Sequence, residues 1–104
     1  MPLTGWMNSN SARTELDALS ARGREFLGVR YAIVGGAMTW LSERHLVAAI
    51  SNGGAFGVIA TGSLSPDELR EEIKGTFALT DKPFGVNVII MHPELDELLQ
   101  VCID

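Results

Sequence analysis

A chain of 104 residues allows one small domain at most. Its formal charge of −5 argues against a phosphate-backbone binder, which needs clustered Lys and Arg. No stretch approaches the roughly 18 consecutive apolar residues of a membrane span, and Arg13, Glu15, Asp17, Arg22, Arg24 and Glu25 leave no apolar core for a secretory signal. Cys102 is the only cysteine, which excludes an internal disulfide and a multi-cysteine metal site. With an apolar fraction of 46%, the expectation is a soluble, cytoplasmic globular protein with neither nucleic acid nor membrane as partner.

Residues 1–10 carry no periodicity and predict a loosely attached start. Residues 13–27 read as a helix, with Leu16, Leu19, Ala21 and Phe26-Leu27 as an imperfect apolar stripe and Gly28 as its C-cap. A first unit follows: strand 31–37, then helix 42–52 with Ser42 as N-cap and Leu46, Val47, Ala49 and Ile50 as buried face. Asn52-Gly53-Gly54 stops that helix with residues that tolerate positive φ. The second unit is strand 56–61 and helix 66–78. Ser65 with Glu68 forms a capping box, Pro66 takes the first helical position, and Leu69, Ile73 and Phe77 recur along one face. The third is strand 84–91 and helix 93–103, with Leu95, Leu98, Leu99 and Cys102 inward.

Val34, Ile59 and Val86 occupy equivalent strand positions, 25 and 27 residues apart. Strands joined through helices lie parallel, because parallel partners need a crossover of about a dozen residues. The class is α/β, built of three βα units, and the nearly all-apolar strands suit a sheet covered on both faces. These patterns leave a barrel and an open doubly wound sheet as alternatives. A closed (β/α)₈ barrel takes about 250 residues, and the sequence reaches Asp104 inside a helical pattern. The expectation is an amino-terminal portion of a longer enzyme: residues 1–28 an extension and helix, 29–104 a partial barrel. The competing reading is a small complete module, closed by homo-oligomerisation through open strand edges.

In parallel α/β folds, ligands sit at the carboxyl ends of the strands. Gly35-Gly36, at the first such end, suits close approach of a flat or phosphorylated ligand, and equally a tight strand-to-helix turn. Met38 is by default a gap-filling side chain. Asn87, in an apolar run, needs hydrogen-bond partners for its amide. Gly53-Gly54 lies at the opposite end of the sheet and reads as structural, lacking both the Gly-x-Gly-x-x-Gly spacing and a P-loop Lys. His45 reads as exposed or capping, His92 as a helix-start residue or, being on the ligand side, one that borders the pocket, and Cys102 as a small core residue. Asp67, Glu68, Glu71 and Glu72 suit a solvated helix start, and no carboxylate and histidine grouping has metal-site spacing.

Three segments in this order carry a resemblance: Gly36-Ala37-Met38-Thr39-Trp40-Leu41-Ser42, Leu46-Val47-Ala48-Ala49-Ile50-Ser51-Asn52-Gly53-Gly54, and Asp81-Lys82-Pro83-Phe84-Gly85-Val86-Asn87. Over residues 26–104 the chain resembles the nitronate monooxygenase family (2-nitropropane dioxygenases), which shares its fold with flavin-dependent enoyl-acyl-carrier-protein reductases. The resemblance implies a TIM-type (β/α)₈ barrel with FMN at the carboxyl ends of its strands. It implies that Gly36, Ala37 and Met38 present backbone groups and one thioether to the flavin ring. Asn87 would bond the pyrimidine side, and Thr61, Gly62 and Ser63 would line the same pocket, Ser63 departing from a commoner Gly-Gly-Asn pattern. The implied reaction is oxidation of a small-molecule alkyl nitronate with dioxygen. A fragment of an NAD(P)H-dependent enoyl reductase is the alternative, and a non-catalytic βα module is an alternative of another class. The family's Gly-Gly-His base segment and its phosphate-binding loops have no counterpart in residues 1–104, so no catalytic residue is expected here.

Overall fold

The computed structural model describes residues 10–104, so the expectation for the first residues falls outside it except at Asn10. Helix α1 (Asn10–Leu27) is followed by β1 (Val34–Gly35), α2 (Arg44–Asn52), β2 (Phe56–Ala60), α3 (Pro66–Leu79), β3 (Phe84–Asn87) and α4 (Leu95–Ile103). The strands form one parallel sheet in the order β1-β2-β3, with Val34 opposite Phe56, Gly57 opposite Phe84 and Ala60 opposite Asn87.

Helix α2 packs on α3, and α3 on α4, so the three helices that follow the strands lie side by side. Successive helices that stay on one face wind in one direction, as in a barrel. A doubly wound sheet sends part of its helices to the other face. The three βα units are therefore a sector of a TIM-type α/β architecture.

The core lies between sheet and helices. Val47, Ile59, Leu69, Leu98 and Val101 are buried, with Leu64, Ile73, Phe84, Val86 and Val88 packed against them. The strand period of two places Gly35, Gly57, Ile59, Phe84 and Val86 toward the helices. Val34, Phe56, Val58, Ala60, Gly85 and Asn87 take the other face, which no helix among the described residues covers. Two glycines allow the helix side to close: a Cβ on Gly57 would stand 2.4 Å from the Val47 carbonyl oxygen, and one on Gly35 2.6 Å from Ile50 Cδ1.

Local chemistry explains the boundaries. Ser65 Oγ accepts from the Glu68 N–H while Glu68 accepts from the Ser65 N–H, the capping box expected from sequence. Gly28, at φ +69, ends α1, and the Val29 N–H reaches the Arg24 carbonyl as in a Schellman turn. Three expectations are corrected. The N-cap of α2 is Glu43, whose carboxylate accepts from the Leu46 N–H, because Ser42 is buried and engaged elsewhere. The first and third strands are shorter than 31–37 and 84–91: β1 pairs with β2 only at Val34 and Gly35, and β3 leaves the ladder at Asn87, opposite the last residue of β2. Cys102 is exposed beside Ile73, Phe84 and Val86, and Leu99, Phe77 and the α1 stripe are exposed too. Phe77 instead meets Phe84 edge-on at 4.9 Å.

Candidate functional site

The two ends of the sheet differ in how their polar groups are used. At the amino-terminal end, Ser51 Oγ donates to the Pro83 carbonyl and accepts from the Gly57 N–H. There Asn52 donates to the Leu79 carbonyl and accepts from the Thr80 hydroxyl. Gly54, at φ +98, packs on Arg30 and Tyr31, and its carbonyl accepts from the Tyr31 N–H. Gly53-Gly54 is thus structural, in a network that closes on itself.

At the carboxyl end, hydrogen bonds and close packing link some of the sequence-predicted residues. Thr61 is fully buried and its hydroxyl donates to the Asn87 carbonyl at 2.7 Å, tying the end of β2 to the end of β3. Thr61 thus has its hydroxyl spent on the main chain of Asn87. Ser42, which sequence reasoning assigned only to helix capping, ties the end of β1 to the end of β2. Its hydroxyl accepts from the Met38 N–H at 2.8 Å, and its carbonyl accepts from the Ala60 N–H at 3.1 Å. Gly62 sits where the three loops meet, since a Cβ there would lie 3.0 Å from both Thr39 Oγ1 and Ile89 Cδ1.

Within this frame the groups turned outward are few. Among the described residues no atom lies within 4 Å of a Cβ built on Gly36, and its φ lies outside the positive region. Neither backbone conformation nor internal packing requires glycine at this position. Its neighbour Gly35 is glycine because Ile50 occupies the space. Asn87 is exposed on the helix-free face, and its side-chain amide has no hydrogen bond among the described residues. The burial argument for that amide does not hold; its donors and acceptor are free instead. The Met38 backbone is spent, its N–H on Ser42 Oγ and its carbonyl on the Leu41 and Ser42 N–H groups, which leaves its half-exposed thioether as the group on offer. Ser63, with Trp40 and Leu64, borders a cavity of about 190 Å³.

Residue Trp40 adopts φ +75 and is 83% exposed. It is the third residue of a turn closed by the Leu41 N–H on the Met38 carbonyl, a position where Gly or Asn normally supplies positive φ. For a bulky side chain that conformation costs roughly 1–3 kcal/mol. Nothing in the sequence marked this residue, because the strain is visible only in the backbone.

Both histidines make local hydrogen bonds. His45 pairs through Nδ1 with Glu43 at 2.8 Å. The Nδ1 of His92 accepts from the Glu94 N–H at the start of α4, the helix-start role expected. Glu43 has its carboxyl held below the ordinary value: burial pushes it up, but the Leu46 N–H and His45 outweigh that. Across the space between α2 and α3, Glu72 accepts from the Arg44 N–H and pairs with the Arg44 guanidinium at 2.8 Å, holding the latter's pKa up. Among the described residues no group of His, Cys, Asp and Glu could hold a metal ion, and no helix is long and apolar enough to cross a membrane.

Comparison with known proteins agrees with this geometry. The family profile described as nitronate monooxygenase matches residues 20–102. A probable nitronate monooxygenase from Staphylococcus saprophyticus is 38% identical over 77 residues, 74% of this chain and 22% of that protein. From Mycobacterium tuberculosis, (3aS,4S,5R,7aS)-5-hydroxy-7a-methyl-1-oxo-octahydro-1H-indene-4-carboxyl-CoA dehydrogenase is 39% identical over 64 residues, covering 62% of this chain and 18% of that one. The structure of FabK from Thermotoga maritima superposes with a TM-score of 0.77 at 41% identity, over 79% of this chain and 26% of FabK. The chain thus spans about a fifth of the length of the curated relatives it matches. On the profile match over most of its length, the chain belongs to the nitronate monooxygenase family.

Proposed function

We propose that this chain is the amino-terminal part of an FMN-dependent nitronate monooxygenase acting in the cytoplasm, and that it supplies one wall of the flavin-ring site. The observation that carries the reading is Gly36. It is a glycine that neither conformation nor packing among the described residues demands, opening toward free space just past the carboxyl end of β1, while Asn87, its amide without a hydrogen bond among those residues, stands at the carboxyl end of β3. That combination fits a flat ring with a mixed hydrogen-bonding edge.

In this reading Gly36 and Ala37 let the ring approach the end of β1, and Gly62 keeps the loop junction narrow. Asn87, its main-chain carbonyl held by the Thr61 hydroxyl, turns its amide to the pyrimidine edge. Met38 lays its thioether against the ring, fixed by Ser42. FMN, when bound, supplies electron transfer from an alkyl nitronate to dioxygen. Ser63 borders the space through which a small substrate reaches the ring. In this reading the described residues bind and orient the ring, and the proton-transfer group belongs to another part of the complete protein. The strand edges at β1 and β3 leave a homo-oligomeric contact open to this part of the chain.

The test is expression of the complete reading frame that contains these residues, followed by flavin analysis and assay on propionate-3-nitronate. Bound FMN with nitronate oxidation supports the reading; bound FMN without turnover of any nitronate refutes the reaction. A second reading is favoured by the relative named as a CoA-thioester dehydrogenase: a flavin enzyme acting on acyl thioesters, the enoyl reductases included. Turnover of an enoyl thioester with NAD(P)H in the same assay would select it.

A further inference from the structure

From the strain at Trp40 and the cavity beneath it, we infer a binding groove for the alkyl chain of the substrate, roofed by the Trp40 indole. The inference rests on the flavin-site reading, to which it adds a determinant of substrate choice. Three observations lead to it. Trp40 holds a left-handed backbone conformation while its side chain is almost wholly exposed, so no packing among the described residues offsets the strain. Such an outlier at a strand's carboxyl end points to a role outside the fold itself.

The space it borders, about 190 Å³, runs between the β1–α2 and β2–α3 loops and meets the flavin-wall residue Ser63. That is below the size of a pocket for a drug-sized ligand and suits a short chain. Finally, the charge of the lining restricts what can enter. Glu43, Glu68 and Glu72 border the groove, and each already accepts hydrogen bonds, from Leu46, Ser65 and Arg44 respectively. No cationic side chain lines it. Glu43 and Glu68 therefore disfavour an anionic group, Glu72 being paired with Arg44, and the uncharged chain is what fits, with Trp40 and Leu64 as its apolar contacts.

The same alkyl chain belongs to a nitronate or to an acyl thioester, and the experiment separates the two. The complete protein is titrated calorimetrically with primary alkyl nitronates and with acyl-CoA thioesters, each in a series of increasing chain length. Affinity is expected to rise about fourfold per methylene until the groove is full, the equivalent of ~0.8 kcal/mol for each CH₂ buried. The series that shows this rise names the source of the chain. In a Trp6→Phe background Trp40 is the remaining tryptophan of this chain, and its emission should change in step with binding. Trp40→Gly should flatten the series while the thermal midpoint stays equal or rises, because glycine relieves the strain. Trp40→Phe should keep the series.

Flat series in the parent protein overturn the inference. So does a Trp40→Gly variant that retains the dependence, or one whose midpoint falls by several degrees, which would make Trp40 a packing residue. Visible absorption of the same samples reports flavin independently. A yellow protein with flat series removes the groove and keeps the flavin site; a colourless protein with a rising series does the reverse.

Discussion

Gly35 and Gly36 are adjacent and chemically identical, yet the structure assigns them opposite dependences on substitution. At Gly36 an added methyl meets nothing within 4 Å, and φ is not positive. Gly36→Ala should therefore stabilise the fold by about 0.4–1 kcal/mol, since alanine narrows the unfolded ensemble at a site compatible with it. That corresponds to a rise in midpoint of about 1–4 °C in a protein larger than this chain. The same methyl enters the space assigned to the flavin ring. Overfilling of a close contact costs about 1–3 kcal/mol, so flavin affinity should fall about 5- to 150-fold. At Gly35 the methyl stands 2.6 Å from Ile50 Cδ1, on the helix side of β1. Gly35→Ala should lower stability by about 1 kcal/mol or more, as Ile50 is pushed off its rotamer, and should leave flavin affinity near its parent value. Thermal unfolding followed by circular dichroism and flavin titration followed by fluorescence read both quantities for both variants. Equal flavin affinity in Gly36→Ala and parent would refute the reasoning, as would a Gly36→Ala variant less stable than Gly35→Ala.

Other expectations follow from single contacts. Gly57→Ala places a methyl 2.4 Å from the Val47 carbonyl, where backbone must move, so denaturant unfolding should show a loss of about 1–3 kcal/mol, more than for Gly35→Ala. Ser65→Ala removes half of the capping box and should cost about 1 kcal/mol by the same measurement. Glu43 is held below its ordinary value of 4.5, so its contribution is full above that pH and is lost as pH falls through the lower folded value. The thermal midpoint of the parent should therefore drop more between neutral pH and pH below 4.5 than that of Glu43→Gln. A parallel fall in the two would contradict the cap.

Where several short-range signals agreed, the architecture could be read from the sequence. The capping box at Ser65 and Glu68, Pro66 and the recurrence of Leu69 and Ile73 all describe one helix, and α3 is that helix within a residue. The spacing of Val34, Ile59 and Val86 revealed the βα repeat because each unit must traverse the same sheet and return. Burial was less legible. Cys102 and Leu99 lie on an apolar stripe, but what covers a stripe is decided by the neighbouring element, which helical periodicity does not contain. The cap of α2 misled for a related reason. Ser42 has the right chemistry for an N-cap, but its hydroxyl is taken by the Met38 N–H, and Glu43, one residue on, has the reach to cap instead. At the site, residue identity brought out Gly36, Met38 and Asn87 through family resemblance. The division of labour between Gly35 and Gly36, the Thr61 tie to Asn87 and the strain at Trp40 depend on distances and dihedral angles that residue types do not encode.

The central claim is that the carboxyl ends of β1, β2 and β3 form one wall of a flavin site. Its most direct measurement is the flavin content of the purified product of the complete reading frame, by visible absorption and mass spectrometry, beside that of Gly36→Val. The account predicts a yellow parent with about one FMN per chain and a folded Gly36→Val variant that has lost most of it. A colourless parent, or a Gly36→Val variant with undiminished FMN, would contradict it.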